Sequence, residues 1–115
     1  MTAHAPPTGV SLVTAADFEA QVLNSPRPVL VEFGADWCPP CRVIEPVLAA
    51  IAADRADTLR VVTVDADDDP EIAGRYGILG LPTLMVFTGG IPVMQVTGAR
   101  SKTRLTAEID AALAG

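Results

Sequence analysis

The sequence predicts a single α/β domain: a central mixed β-sheet of about five strands flanked by four α-helices. Three observations carry that expectation. Strand-like and helix-like segments alternate in the order β-α-β-α-β-α-β-β-α, the pattern of βαβ units with parallel strands and helices on both faces. Val29 to Phe33 (VLVEF) is nearly continuous in apolar residues, as a strand covered on both faces must be. Gly89-Gly90 separates two β-rich runs by two residues, which predicts a tight hairpin and antiparallel strands at one end of the sheet.

Each element has its own local reason. Ser11 to Val13 is a short apolar run suited to an edge strand. Thr14 and Asp17 form a variant capping box, and Ala15 to Leu23 then reads as a helix with Phe18 and Val22 on one face. Asn24 to Pro28 is a loop leading into the VLVEF strand. A long helix is expected after Cys38, carrying Ile44, Val47, Leu48 and Ile51, with a kink at Pro46, which has no N–H for the ladder. Leu59 to Val64 is the next strand. Asp69 as N-cap and Pro70 at the first helical position open a helix that ends near Tyr76-Gly77. Thr83 to Thr88 and Ile91 to Thr97 are the hairpin strands, Pro92 marking the second as an edge. Ser101 caps a final helix whose apolar face is Leu105, Ile109 and Leu113.

Composition narrows the function. Half of the 115 residues are hydrophobic and 19% are charged, enough for a real core and against intrinsic disorder. Eight basic against fourteen acidic residues give a net charge of −6, so the basic footprint of nucleic-acid or anionic-lipid binding is missing. No apolar run reaches the ~20 residues of a membrane span. Residues 1–9 read as a disordered tail before a domain over 10–115. The opening MTAHAPPTGV has neither a positive n-region nor an apolar h-region, so a cytoplasmic location is expected. A single histidine, His4, makes a His-based metal site unpromising. The acidic run Asp65, Asp67, Asp68, Asp69 fails the EF-hand pattern, which wants glycine where Pro70 stands, and reads as a solvated loop with a helix cap.

The chemistry concentrates in Trp37-Cys38-Pro39-Pro40-Cys41, where a strand has ended and a helix begins. These are the only two cysteines. Three residues apart on a first helical turn, their sulfurs lie on one side and within bonding reach. The helix N-terminus favours thiolate over thiol. A thiolate with a second thiol beside it performs disulfide exchange. Zinc would need two further ligands that the chain does not offer; two inert core cysteines would leave the strand-to-helix placement unexplained. Proline has no N–H, so Cys41 keeps the best local amide for a Cys38 thiolate, and Cys38 and Pro39 are both expected extended, with helix from about Pro40. Glu32 interrupts VLVEF. Its side chain either sits in an apolar environment with a raised pKa, fit to move a proton near neutrality, or reaches solvent at the strand end.

The segment from Phe33 through Cys41-Arg42 to Pro46 resembles the active-site segment of the thioredoxin family. Val64-Asp65-Ala66-Asp67 with Pro70, Tyr76-Gly77-Ile78, Leu81-Pro82-Thr83-Leu84, Gly89-Gly90 and Gly98-Ala99 continue the resemblance in register, over roughly residues 10 to 114. It implies a thioredoxin fold and a protein-disulfide reductase with a redox-active Cys38–Cys41 disulfide. Cys38 matches the exposed nucleophile and Cys41 the buried resolving thiol. Pro82 matches a cis-proline facing the cysteines, which would turn the Leu81 backbone toward an extended substrate chain. Trp37, Pro39, Pro40, Ile78, Leu81, Gly98 and Ala99 match the substrate-docking patch, although plain packing would account for Trp37 without a functional role and an ordinary turn glycine accounts for Gly98 equally well. The resemblance further implies disulfide-containing target proteins, recycling by an NADPH-dependent flavoprotein thioredoxin reductase, a monomer, and no cofactor or metal on this chain. Four positions depart from the family: Pro39 for glycine, Glu32 for aspartate, Thr63 for lysine and Gly34 for a second tryptophan. Two other readings share the motif. A disulfide oxidase or isomerase would need an oxidising compartment, and a non-catalytic binding module commonly loses a cysteine.

Overall fold

A computed structural model of the chain describes residues 5–115. Five strands form one mixed sheet in the order β1-β3-β2-β4-β5: β1 (Ser11–Leu12), β2 (Val29–Gly34), β3 (Arg60–Asp65), β4 (Thr83–Thr88) and β5 (Ile91–Thr97). β3 runs parallel to both β1 and β2, while β4 is antiparallel to β2 and β5. All six residues of β2 are buried, as its apolar run requires at the sheet centre. Its alternating side chains serve two cores. Leu30 meets Ile44, Leu48, Leu105 and Ile109 on one face. Val29, Val31 and Phe33 meet Phe18, Val22, Ile72 and Phe87 on the other. Phe18, Tyr76 and Phe87 stack edge-on or tilted with ring centroids 5.2–5.9 Å apart.

Four α-helices flank the sheet: α1 (Pro39–Val43), α2 (Glu45–Asp54), α3 (Pro70–Arg75) and α4 (Lys102–Ala114). The hairpin turn is as expected, with Gly89 and Gly90 at φ 58° and 80°, the positive pair a two-residue turn demands. A Cβ on Gly90 would also press to 3.0 Å from the Leu23 carbonyl. A bulge at Val86/Phe87 sets Pro92 opposite Phe87 on the edge strand. Ser101 Oγ accepts the Arg104 amide at 3.2 Å and caps α4.

Four expectations need correction. The helix read over Ala15 to Leu23 is a turn followed by one π-helical turn, Glu19–Leu23. The expected capping contact is present, Asp17 accepting from the Thr14 amide and hydroxyl, and the turn is π-helical because the Asn24 amide closes onto the Glu19 carbonyl five residues back. Phe18 and Val22 still face the core together. Asp69 and Pro70 stand at the N-cap and in the first turn of α3 as expected, but the Asp69 side chain does not cap that helix; it accepts the Ala15 amide from 54 residues away. The strand expected from Leu59 begins at Arg60, because the Leu59 amide is held by the Arg55 carbonyl and pairing opens with the Arg60 amide on Pro28. The kinked helix is two helices that meet at Ile44. Pro46 occupies the first turn of α2, where no N–H is required, so the ladder restarts there.

Of the tail expected over residues 1–9, Met1 to His4 lie outside the described residues; Val10 bonds back to the Pro7 carbonyl.

Candidate active site

β2 ends at Gly34 and the chain reaches Cys38 through a short loop closed by the Cys38 amide on the Ala35 carbonyl. Cys38 is extended (φ −98°, ψ 103°) and is the N-cap of α1. Pro39 and Pro40 fill the next two positions, where a missing N–H costs nothing. Pro39 is thus helical rather than extended. The restriction that Pro40 imposes on it is outweighed by closure of the first turn, in which the Cys38 carbonyl accepts from the Cys41 and Arg42 amides. The Cys41 amide also points at Cys38 Sγ from 3.3 Å, the one-donor arrangement the Pro-Pro sequence predicts. Cys38 and Cys41 form a disulfide with Cα atoms 5.3 Å apart.

Cys38 is 3% and Cys41 5% exposed, so the expected contrast between an exposed and a buried cysteine is absent from this oxidised form. Both sulfurs are covered in a small cluster with Ala35 and Leu81. What separates the two residues is the space each one borders. Cys38 lines an open apolar groove of about 670 Å³ shared with Trp37, Pro39, Pro40, Ile78 and Leu81. Cys41 lines a smaller, half-open cavity of about 50 Å³ on the inner side, shared with Glu32, Glu45, Thr63 and Asp65.

Trp37 is two-thirds exposed, and its indole N–H donates to Asp67 at 2.6 Å, which fixes the ring at the groove edge. Asp67 is itself placed by a turn in which Asp65 accepts from the Asp67 and Asp68 amides. The acidic run is therefore an organised loop serving Trp37 and α3. The Leu81–Pro82 bond is cis, and the Pro82 carbonyl accepts from the Gly98 amide at 2.8 Å, joining the Gly98-Ala99 loop to this segment. Pro82 is buried; Gly98, at φ 104°, and exposed Ala99 lie just beyond the groove lining. Sequence reasoning missed the groove's far side, made of Ala66, Ala73, Gly74 and the fully exposed Leu79. The sequence offered one partial signal, Leu79 in the short Gly77-to-Gly80 stretch, but its meeting with α3 and Trp37 arises only in the fold.

Glu32 is 5% exposed, in favour of the buried reading. The Thr63 hydroxyl donates to its carboxylate at 2.6 Å. A Cβ built on Gly34 would collide with Glu32 Oε2, so the absent side chain at 34 leaves room for the longer carboxylate. Burial pushes the Glu32 pKa from 4.5 to about 7; the Thr63 bond opposes this and the nearby Glu45 and Asp65 charges add to it. The site thus holds a dithiol pair at a helix start, an apolar groove outside it and a carboxyl poised near neutrality inside it. Such a set exchanges a disulfide with another polypeptide and can move the accompanying proton.

Known proteins agree with this chemistry. The thioredoxin family model matches residues 9–111. The chain is 46% identical to thioredoxin of Porphyra purpurea over 88% of this chain and 94% of the relative. It is 47% identical to thioredoxin 1 of Synechococcus elongatus over 85% and 92%. It is also 42% identical to a bifunctional thioredoxin reductase/thioredoxin of Mycobacterium leprae, covering 88% of this chain but 22% of that longer protein. With the mixed sheet and the Cys38–Cys41 disulfide already in view, the chain belongs to the thioredoxin family and is a thiol–disulfide oxidoreductase that reduces protein disulfides.

Proposed function

We propose that Cys38 is the attacking thiolate, Cys41 the resolving thiol and Glu32 the proton carrier. The observation that supports this division is that Cys38 borders the outer groove and Cys41 the inner cavity with Glu32. A target disulfide enters along the groove. The Cys38 thiolate attacks one of its sulfurs, forming a mixed disulfide and expelling the other target sulfur as a thiolate. Cys41 gives its proton toward the Glu32 carboxylate and attacks Cys38 Sγ. The intramolecular disulfide forms, the second target thiolate leaves, and two electrons have passed to the target. The cavity of about 50 Å³ is large enough for a water between Cys41 and Glu32.

Trp37, Pro39, Pro40, Ile78, Leu81 and Ala99 hold the target's apolar flank in this reading, the cis bond at Pro82 turns the Leu81 backbone toward its extended chain, and Gly98, with no side chain, lets that chain approach. The oxidised protein is returned to the dithiol by an NADPH-dependent flavoprotein reductase; the joined reductase and thioredoxin of the Mycobacterium leprae relative supports that pairing. A cytoplasmic monomer fits the reducing role. No helix among the described residues is long and apolar enough to cross a membrane. Insulin reduction by the chain with a thioredoxin reductase tests the cycle. NADPH consumption that requires both proteins is expected; insulin reduction that never couples to NADPH would defeat the reductive cycle and favour the oxidase or isomerase reading.

The Pro-Pro turn adds a measurable consequence. With only the Cys41 amide facing the sulfur, a Cys38 thiolate has fewer donors than a glycine at 39 would allow. Pro39→Gly is expected to raise the rate of iodoacetamide alkylation of the reduced protein at pH 6 by roughly threefold. An unchanged or slower rate would show that the missing amide does not control this thiol.

A further inference from the structure

Arg100 lies outside the groove and outside every motif singled out in the sequence, yet its side chain is 6% exposed. Its guanidinium divides its donors between one short loop and α4. Nη2 donates to the Thr97 carbonyl at 2.7 Å and Nε to the Gly98 carbonyl at 3.1 Å. Nη1 reaches Glu108 Oε2 on α4 at 2.7 Å, and Arg104 stands 3.6 Å from the same oxygen. A buried guanidinium is costly unless its charge and donors are met, and here they are met by the two carbonyls that flank Gly98 and by one carboxylate. Gly98, at φ 104°, has no Cβ and is the residue of the loop with the widest backbone freedom. The Gly98 amide in turn bonds to the Pro82 carbonyl. A continuous polar link therefore runs from Glu108 through Arg100 and Gly98 to Pro82, the chain neighbour of Leu81, which packs against the two cysteines.

We infer that Arg100, anchored by Glu108, is a positioning residue that holds the Thr97–Ala99 loop in its substrate-receiving shape. The inference rests on the reading above that Gly98 and Ala99 meet the target chain. The exchanging sulfurs do not touch Arg100, so its loss should weaken capture of a protein substrate and spare the exchange step.

The test is Arg100→Leu, which keeps an apolar stem but no donors, assayed on insulin with reductase in excess. The KM for insulin should rise roughly tenfold with kcat within about twofold. Deuterium exchange at the Gly98 amide should quicken by about tenfold as its loop loosens. Arg100→Lys should recover part of both. Should Arg100→Leu fail to fold, Glu108→Gln carries the same test with an expected KM rise of about threefold, since it leaves the guanidinium without its charge partner. An unchanged KM and unchanged Gly98 exchange in a folded variant would overturn the inference. Ala99→Asp separates the two levels. If it raises the KM while Arg100→Leu does not, the clamp is wrong and the docking reading stands; if neither raises it, the docking reading falls and takes the clamp with it.

Discussion

Cys38→Ser is expected to lower insulin reduction by on the order of 10⁴-fold or more, since a serine hydroxyl is not ionised near neutrality and cannot open a disulfide. Cys41→Ser is expected to stop turnover just as fully but by another route. Cys38 still attacks, and the mixed disulfide then has no internal thiol to release it. Targets should accumulate as covalent adducts that dithiothreitol dissolves, visible as shifted bands on a non-reducing gel. The asymmetry follows from where the two residues stand. Cys38 caps α1 and opens onto the groove, while Cys41 sits one turn inward and opens onto the Glu32 cavity. Equal trapping by the two variants would reverse or abolish the assignment of attacker and resolver.

Much of this architecture was legible because its causes are local. Gly89-Gly90 states a hairpin through its own backbone freedom, and VLVEF states a central strand through its own lack of a polar face. The Cys38 helix start is likewise written in adjacent residues. What escaped depends on partners distant in sequence. Asp69 looks like a helix cap until the fold brings the Ala15 amide to it. Arg100 looks like a surface arginine until α4 supplies Glu108. Three departures from the family, at Glu32, Gly34 and Thr63, could each be seen singly, but not as one arrangement. The β2–β3 register sets Glu32 beside Thr63, which supplies the hydroxyl, and the same-face neighbour Gly34 supplies the room. Neighbouring residues do not encode that register. The groove's outer side has the same origin, because α3 and Leu79 meet Trp37 only through the tertiary fold.

That buried arrangement at Glu32 carries the second large effect, on stability. Its pKa of about 7 exceeds the ordinary 4.5 mainly because burial penalises the charged carboxylate, with Glu45 on α2 and Asp65 on β3 adding repulsion against the Thr63 bond. A carboxyl whose pKa is raised on folding binds its proton more tightly in the folded state. Its protonated form therefore favours folding below about pH 4.5, and that contribution is lost as pH climbs through about 7. Over this window the shift corresponds to about 3 kcal/mol. Glu32→Gln has nearly the same shape, keeps an acceptor for the Thr63 hydroxyl and cannot ionise. Oxidised Glu32→Gln and parent proteins should differ little in denaturant stability at pH 4, and the variant should be the more stable by about 3 kcal/mol at pH 8. The same variant should slow release of the mixed disulfide near neutral pH while leaving the first attack intact, because only the second step needs a proton acceptor beside Cys41. A stability difference that stays flat from pH 4 to 8 would mean that the carboxyl titrates as a solvated group and cannot be the relay. A difference that grows with pH without any change in release would leave Glu32 as a structural burden and move the proton acceptor elsewhere.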